Sequence, residues 1–285
     1  MKFGIFVHPQ RPKIAKKAIE TILKSNDLQI SEPPSAADIA LVIGGDGTFS
    51  YYGRNLSIPL LFVGVSDSNL LGSKNRLAET SFEHLAVALK RIKKGHYKIV
   101  KRKMISVKYN TFEPVDVLTD IYIERGIFAG CIRYTVSVAK NELKDNEKCD
   151  KTDNKQAPIF TDYVIGNGVI ISTAFGSNGY YSYVDKITNT PNIRCELFND
   201  NRIGICHILP TFAVRKKMGK KKESGIKHIR YTVPFQSIIK INIIRDADVR
   251  LYGTTNHSKG IAVKTNVPII ISLSKRTAEI IHLLF

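Results

Sequence analysis

Ile39-Ala40-Leu41-Val42-Ile43-Gly44-Gly45-Asp46-Gly47-Thr48 is the stretch on which the fold turns. Its apolar residues run without polar alternation and stop at two glycines. Such a run, bounded by turn residues, reads as a strand buried on both faces. Glycines at 44, 45 and 47 permit unusual dihedrals and close backbone approach to a ligand. In an open parallel sheet, ligands bind beyond the carboxyl ends of the strands, which is where this turn falls. Backbone N–H groups in such a turn can cradle phosphate oxygens. Asp46 can accept a proton from a hydroxyl or hold a metal ion. Thr48 can bond phosphate or begin the next helix. A tight strand-to-helix turn capped by Asp46 accounts for the same residues. The turn is neither a P-loop, whose Gly-Lys-Ser/Thr ending is absent, nor the G-x-G-x-x-G dinucleotide fingerprint.

The flanking segments repeat the pattern. Phe3 to Val7 is a short apolar run, too short for the core of a signal peptide, and reads as the first strand. Pro12 suits the first position of a helix, and Ile14, Ala15, Ala18, Ile19, Ile22 and Leu23 give that helix one apolar face. Leu60-Leu61-Phe62-Val63 is another buried strand, ending at Gly64. Thr80 with Glu83 reads as a capping box, followed by the helical stripe Phe82, Leu85, Leu89 and Ile92. Buried strands separated by helices imply a parallel sheet covered on both faces.

Near residue 100 the pattern changes. Helix-period runs vanish and short strands follow: Ile105 to Tyr109, Asp120 to Glu124, Tyr134 to Val138, Val164 to Ser172, Ile238 to Ile244 and Val267 to Leu273. The expected organisation is α/β plus all-β. Residues 1–97 form a Rossmann-like parallel α/β domain, and residues 98–271 form a β-rich, sandwich-like domain. The tail from about 272 to 285 is a candidate to pack back on the first domain.

The 285 residues carry 43 Lys+Arg against 25 Asp+Glu, a formal charge of +18. That balance admits nucleic acid, an anionic membrane face or a phosphorylated small molecule as partner. Basic residues gather at Lys90–Lys103 and Arg215–Lys222, where solvated surface accounts for them; the second run lacks the aromatics of a single-strand stacking platform. Lys140 to Gln156 balances five Lys against five Asp+Glu and reads as a loop between strands. No run of 18 apolar residues exists, so no membrane span is expected. Cys131, Cys149, Cys195 and Cys206 show no C-x-x-C spacing, so neither a zinc site nor a disulfide framework is expected, and a cytoplasmic setting fits.

Gly44-Gly45-Asp46-Gly47-Thr48 resembles the signature shared by NAD kinases, diacylglycerol and sphingosine kinases and 6-phosphofructokinases. Downstream segments resemble the NAD kinase family in particular, as a divergent member. Pro59 to Val65 followed by Asn69-Leu70-Leu71-Gly72 is similar to the family's second glycine segment. Leu118 to Gly126 resembles its A-L-N-D-V-V-I-x-R-G stretch, and Gly166 to Tyr180 is similar to its G-D-G-x-I-x-S-T-P-T-G-S-T-A-Y. Val267 to Leu284 resembles the closing strands.

The resemblance implies phosphorylation of the 2′-hydroxyl of the adenosine ribose of NAD, giving NADP. ATP or polyphosphate is the donor, with a divalent metal, magnesium or manganese. Asp46 is the implied general base, with Gly44, Gly45, Gly47 and Thr48 beside it. Thr119 and Asp120 match the pair that holds NAD, and Asn167 matches an Asp that contacts a ribose. Asn178, Gly179, Tyr180 and Tyr183 fall in the segment lining the nucleotide pocket. A homodimer or homotetramer is also implied. The chain departs from the family at Thr119, Asn167, Ala174-Phe175 and Asn178-Gly179, and keeps only Gly253 of a later turn. These departures leave kinase chemistry better supported than NAD as acceptor. A related kinase with a lipid, sugar or other nucleotide acceptor, and a non-catalytic nucleotide- or nucleic-acid-binding protein, stay open on the sequence. His207 reads as structural, and His257 as remote from the phosphates.

Overall fold

The computed structural model describes residues 1–8, 14–65, 75–127, 129–140, 158–188, 199–220, 223–226, 228–245, 248–254 and 259–284. Pro12, Asn69–Gly72, Cys149, Cys195, His257 and most of the 140–156 segment lie outside them. By contact the chain forms two units: Met1–Lys103 with Arg276–Phe285, and Met104–Lys275.

The first unit is a parallel α/β layer. Its elements are β1 (Lys2–Val7), α1 (Lys16–Ser25), β2 (Gln29–Ile30), β3 (Ile39–Gly44), α2 (Asp46–Asn55), β4 (Leu60–Gly64), β5 (Thr80–Ser81), α3 (Leu85–Lys93) and the start of β6 (Tyr97–Tyr109). β1, β2, β3 and β4 pair in parallel in the order β2-β1-β3-β4, with β5 parallel to β4. β3 and β4 are buried along their whole length, as strands covered on both faces must be. Ile39, Leu41 and Ile43 pack with Ile19 and Leu23 of α1 and Leu85, Leu89 and Ile92 of α3. From α2, Phe49 stacks on Phe62 of β4 at 4.6 Å. The C-terminal segment returns here, and Ile280 pairs with Leu60. Its Arg276 donates to the carbonyls of Arg54 (2.9 Å) and Leu56 (3.3 Å), satisfying acceptors that the end of α2 leaves open.

The second unit is an antiparallel sandwich. After the end of β6 come β7 (Val115–Val117), β8 (Asp120–Arg125), β9 (Ile132–Ala139), β10 (Phe160–Gly166), β11 (Gly168–Ser172), α4 (Tyr183–Thr188), β12 (Arg202–Ile208), β13 (Phe212–Lys217), β14 (Ser224–Gly225), β15 (Arg230–Pro234), β16 (Ile238–Arg245), β17 (Val249–Tyr252), β18 (Ile261–Val263) and the start of β19 (Ile269–Leu283). One sheet runs β14-β13-β10-β9-β16-β19 and the other β15-β12-β11-β8-β17-β18. Ile121, Ile123, Val169, Ile171, Ile203 and Ile205 of the second sheet share a core with Val136, Val138, Val164, Ile239, Ile241 and Ile271 of the first.

Four sequence expectations change. Helix α1 starts at Lys16, so Ile14 and Ala15 precede it. Thr80 and Glu83 form no capping box, because pairing with Val63 holds Thr80 extended and α3 begins only at Leu85. The run Val164–Ser172 is two strands: at Asn167 the chain leaves one sheet for the other, its N–H bonding Ile208 O (2.9 Å) and its carbonyl accepting from Arg125 N (3.1 Å). Beyond residue 100 a helix does occur, α4, too short at six residues for its periodicity to stand out.

Arg215 is a further correction, since the basic run at 215–222 reads as solvated surface. Its guanidinium turns inward, donating to Asp162 Oδ1 at 2.6 Å and Oδ2 at 2.8 Å. It lies over the rings of Phe160 (3.8 Å) and Tyr231 (4.4 Å). Asp162 is fully buried and also accepts from Tyr231 OH (2.5 Å) and lies 3.3 Å from His207 Nε2. His207 in turn meets Tyr134 OH at 3.1 Å, and that hydroxyl donates to Gly168 O at 2.5 Å. The cluster joins the two sheets with charged and polar groups inside a core that is otherwise mostly aliphatic.

Candidate active site

The candidate residues fall in both units. Asp46 and the glycine turn belong to the first; the others belong to the second.

The turn forms because β3 must hand over to a helix within one residue. Gly45 is the N-cap of α2 in extended conformation, and the N–H groups of Thr48 and Phe49 bond its carbonyl at 2.9 and 3.1 Å. Asp46 is therefore the first helical residue and not the cap. Its carboxylate suits the positive end of the helix dipole. Leu77 N–H donates to Asp46 Oδ1 at 3.1 Å, which fixes the direction of the carboxylate. Gly44 has φ +156°, and a Cβ there would stand 2.7 Å from Thr48 Oγ1, so this glycine is required by the fold.

Gly47 differs. A Cβ built there meets nothing within 4 Å. Nothing in the folded chain asks for glycine inside this helical turn, and alanine there should add about 0.5–1 kcal/mol of stability. Gly47→Ala is expected to raise the melting temperature while weakening nucleotide binding, read by calorimetry and by titration with ATP and NAD. A variant with unchanged affinity for both would show that no ligand approaches this backbone.

In the second unit the candidates line the outward face of the second sheet. Asp120 opens β8 opposite Ser172 of β11. Thr119 is buried, and its carbonyl accepts from Thr173 N (2.8 Å) and Thr173 Oγ1 (3.0 Å). Gly253, at φ +89°, lets the turn after β17 come against Asp120; a Cβ there would lie 2.6 Å from Asp120 O. A Cβ on Gly179 would lie 3.4 Å from Asp120 Oδ2, so the 178–180 segment meets Asp120 as well.

That segment is held down along its length. Asn178 O accepts from Ser182 Oγ at 3.1 Å, and Tyr180–Ser182 form a 3-10 turn leading into α4. Tyr180 OH donates to Glu124. Tyr183 OH donates to His207 O (2.8 Å) and accepts from Leu209 N (3.3 Å). Burial, chiefly, pushes the Tyr183 phenol up to about 12. Arg230 makes a bidentate pair with Asp185 of α4. Tyr181 is buried among Ile170, Cys206 and Ile208.

Thr119, Asp120, Gly179 and Gly253 thus meet at one end of β11. Asn167 stands at the other end, beside Cys131, whose Sγ lies 4.0 Å from its Oδ1. The five residues of β11 separate the ends by about 13 Å. The sequence reading missed Tyr122, Glu124 and Tyr252, which occupy the face between them. The alternation Asp120-Ile121-Tyr122-Ile123-Glu124 is the signal that could have found them.

Among the described residues no three of His, Cys, Asp and Glu converge to hold a metal. No helix among the described residues is long and apolar enough to cross a membrane.

The fold is a parallel α/β unit with a Gly-Gly-Asp-Gly turn at a helix start, followed by an antiparallel sandwich. The NAD kinase from Archaeoglobus fulgidus, solved in complex with ATP, superposes with TM-score 0.60 at 18% identity, covering 99% of this chain and 93% of that one. Yeast NADH kinase complexed with NADH gives 0.62 at 16% identity, covering 100% and 83%. In sequence the chain is 30% identical over 152 residues to the NAD kinase of Clostridium kluyveri, 51% of this chain and 45% of the relative. With the NAD kinase of Geotalea daltonii it shares 28% over 221 residues, 68% of this chain and 69% of the relative. The chain spans about half the length of the clostridial relatives it matches. No family model matches it. In sequence the chain is thus similar to NAD kinases, and it shares its fold with an NAD kinase and an NADH kinase.

Proposed function

We propose that this chain transfers the γ-phosphoryl group of ATP to the 2′-hydroxyl of the adenosine ribose of NAD, giving NADP and ADP. Asp46 takes the hydroxyl proton, the ribose oxygen bonds to the γ-phosphorus, and the bond from that phosphorus to the β–γ bridging oxygen breaks. The observation that carries the reading is the placement of Asp46. It stands in the first turn of α2, just beyond the carboxyl end of β3, with its carboxylate oriented by Leu77 N–H. Phosphoryl transfer asks the protein for positioning and electrostatics more than for covalent chemistry, and this turn offers both. A divalent cation accompanies the donor and offsets charge on its phosphates. Gly44, Gly45, Gly47 and Thr48 form the turn around the base. Thr119, Asp120, Asn178, Gly179, Tyr180 and Tyr183 hold the dinucleotide, with Asn167 at the far end of the same face.

The test is NADP formation by the purified protein with NAD, ATP and Mg²⁺, with polyphosphate in place of ATP as a second arm. No product from either donor would end this reading. The free thiols Cys131 and Cys206 support a cytoplasmic setting. Assembly into a homodimer or homotetramer belongs to the same reading. Its support is the outward apolar surface of the sandwich, where Phe212 is 51%, Ile244 54% and Tyr163 37% exposed. Sedimentation velocity is expected to give a dimer or tetramer, and a monomer at working concentration would refute it.

A further inference from the structure

Asp46 takes its direction from Leu77 N–H, so whatever holds Leu77 acts on the proposed base. Leu77 belongs to a turn packed against the end of β4. Ala78 N donates to Asn75 O at 3.1 Å, Asn75 Nδ2 to Val65 O at 2.6 Å, and Glu79 N to Phe62 O at 3.0 Å. A Cβ on Gly64 would stand 2.9 Å from that of Asn75 and 3.0 Å from that of Ala78, so the turn and the strand end are in close contact.

Two residues past Leu77, the side chain of Glu79 leaves this turn for the C-terminal strand. Its Oε1 accepts from Leu283 N at 2.7 Å, and its Oε2 lies 2.9 Å from His282 Nδ1. On the other side of the ring, His282 Nε2 lies 3.4 Å from Arg102 Nη2 of β6. A guanidinium only donates, so Nε2 is the acceptor and the ring proton sits on Nδ1, facing the carboxylate. The hydrogen bonds then run in one direction, from Arg102 through His282 to Glu79. Glu79 and His282 are half-buried, and Ile281 and Leu283 on either side of the histidine are buried with Leu61, Val63 and Leu85. Asp46, Leu77, Glu79, Arg102 and His282 all belong to the first unit. An exposed ion pair contributes little to a fold. This pair differs in being fastened to the backbone of a core strand at one end and standing two residues from the amide that meets Asp46 at the other.

We infer that Glu79 and His282 are positioning residues for the phosphoryl transfer: they fasten the 75–79 turn to the C-terminal strand, so that Leu77 N–H holds the Asp46 carboxylate in the orientation that takes the hydroxyl proton. The inference rests on the kinase reading for the role of Asp46, and it adds the end of the chain to the apparatus that serves it.

A double-mutant cycle on the intact chain tests it, with NADP formation and amide exchange as separate readouts. Glu79→Ala and His282→Ala are expected to lower kcat about tenfold to a hundredfold, the scale at which a displaced catalytic group loses rate, with KM for NAD unchanged. In an Asp46→Asn background the same substitutions should have almost no effect, because no base remains to be positioned. His282→Asn, whose Nδ2 can donate to Glu79 where the ring did, should keep most of the wild-type rate. Glu79→Gln preserves the side-chain volume and serves if an alanine variant does not fold. By NMR, exchange of the Leu77 amide should rise about tenfold in the alanine variants, while the amides of Ile19 and Leu23 in α1 keep their protection. Equal losses of kcat in both backgrounds would mark a merely structural role and overturn the inference, as would unchanged exchange at Leu77. If wild type makes no NADP, the kinase reading falls by itself, and the exchange measurement still decides whether Glu79 and His282 hold Leu77.

Discussion

Asp46→Asn is expected to lower kcat for NADP formation by about 10²–10⁴-fold, the usual weight of a positioned general base. Asparagine keeps the shape of aspartate and an oxygen able to accept Leu77 N–H, which now meets Asp46 Oδ1 at 3.1 Å. The turn should therefore survive, and thermal unfolding should show a midpoint close to wild type. What asparagine lacks is the basic carboxylate. A loss confined to the transition state lowers kcat and kcat/KM together and leaves KM where it was. Steady-state kinetics with NAD varied at saturating ATP separates the cases. An unchanged kcat would remove Asp46 from the chemistry, and a raised KM at constant kcat would make it a binding residue.

Asp162→Ala carries the largest expected effect on stability. The carboxylate is fully buried and takes both guanidinium bonds of Arg215, the hydroxyl of Tyr231 and the ring of His207. Removing one partner of a buried ionic cluster strands the others, at about 3–5 kcal/mol. For a unit of this size that is a fall in melting temperature of about 10 °C. The acid dependence follows from the same contacts. Burial raises the Asp162 pKa, but hydrogen bonds from Arg215, His207 and Tyr231 outweigh it and hold the carboxyl below the ordinary aspartate value. A depressed folded pKa means a contribution fully present above the unfolded value, near 3.9, and lost as pH falls through the folded one. Asp162→Asn should therefore be less stable than wild type at neutral pH, with the gap narrowing below about pH 4. Melting curves from pH 7 to pH 2 would show this, and a gap constant across that range would refute the assignment. The cluster also reaches the second sheet and the segment on its outward face: Tyr134 OH bonds Gly168 O, and Tyr231 O accepts from Tyr181 OH at 3.2 Å.

The α/β unit was legible from one local signal. Unbroken apolar runs at 39–43 and 60–63 cannot face water on either side, so helices must cover them. The β-rich character of the second unit was legible from spacing. Its pairing was not, because strands close in sequence, such as β10 and β11, separate into different sheets at Asn167. Thr80 reads as a cap by residue type, yet a bond to a distant strand decides its conformation. Arg215 reads as surface because it begins a basic run, and only its contacts with Asp162, Phe160 and Tyr231 show that its half-buried guanidinium turns inward.

The same division holds for the site. The sequence alone determined the glycine turn with Asp46, since strand, turn and helix start are consecutive and their geometry is local. It also determined the segment 178–183 as a candidate. Which side chains share a surface with that segment was decided by tertiary structure. Tyr122, Glu124 and Tyr252 come from strands 130 residues apart. Their meeting depends on β-sheet register, where a one-residue slip would turn every one of them into the core. Local chemistry is written in consecutive residues; a binding face assembled from several strands exists only once long-range pairing has fixed which side of each strand looks outward.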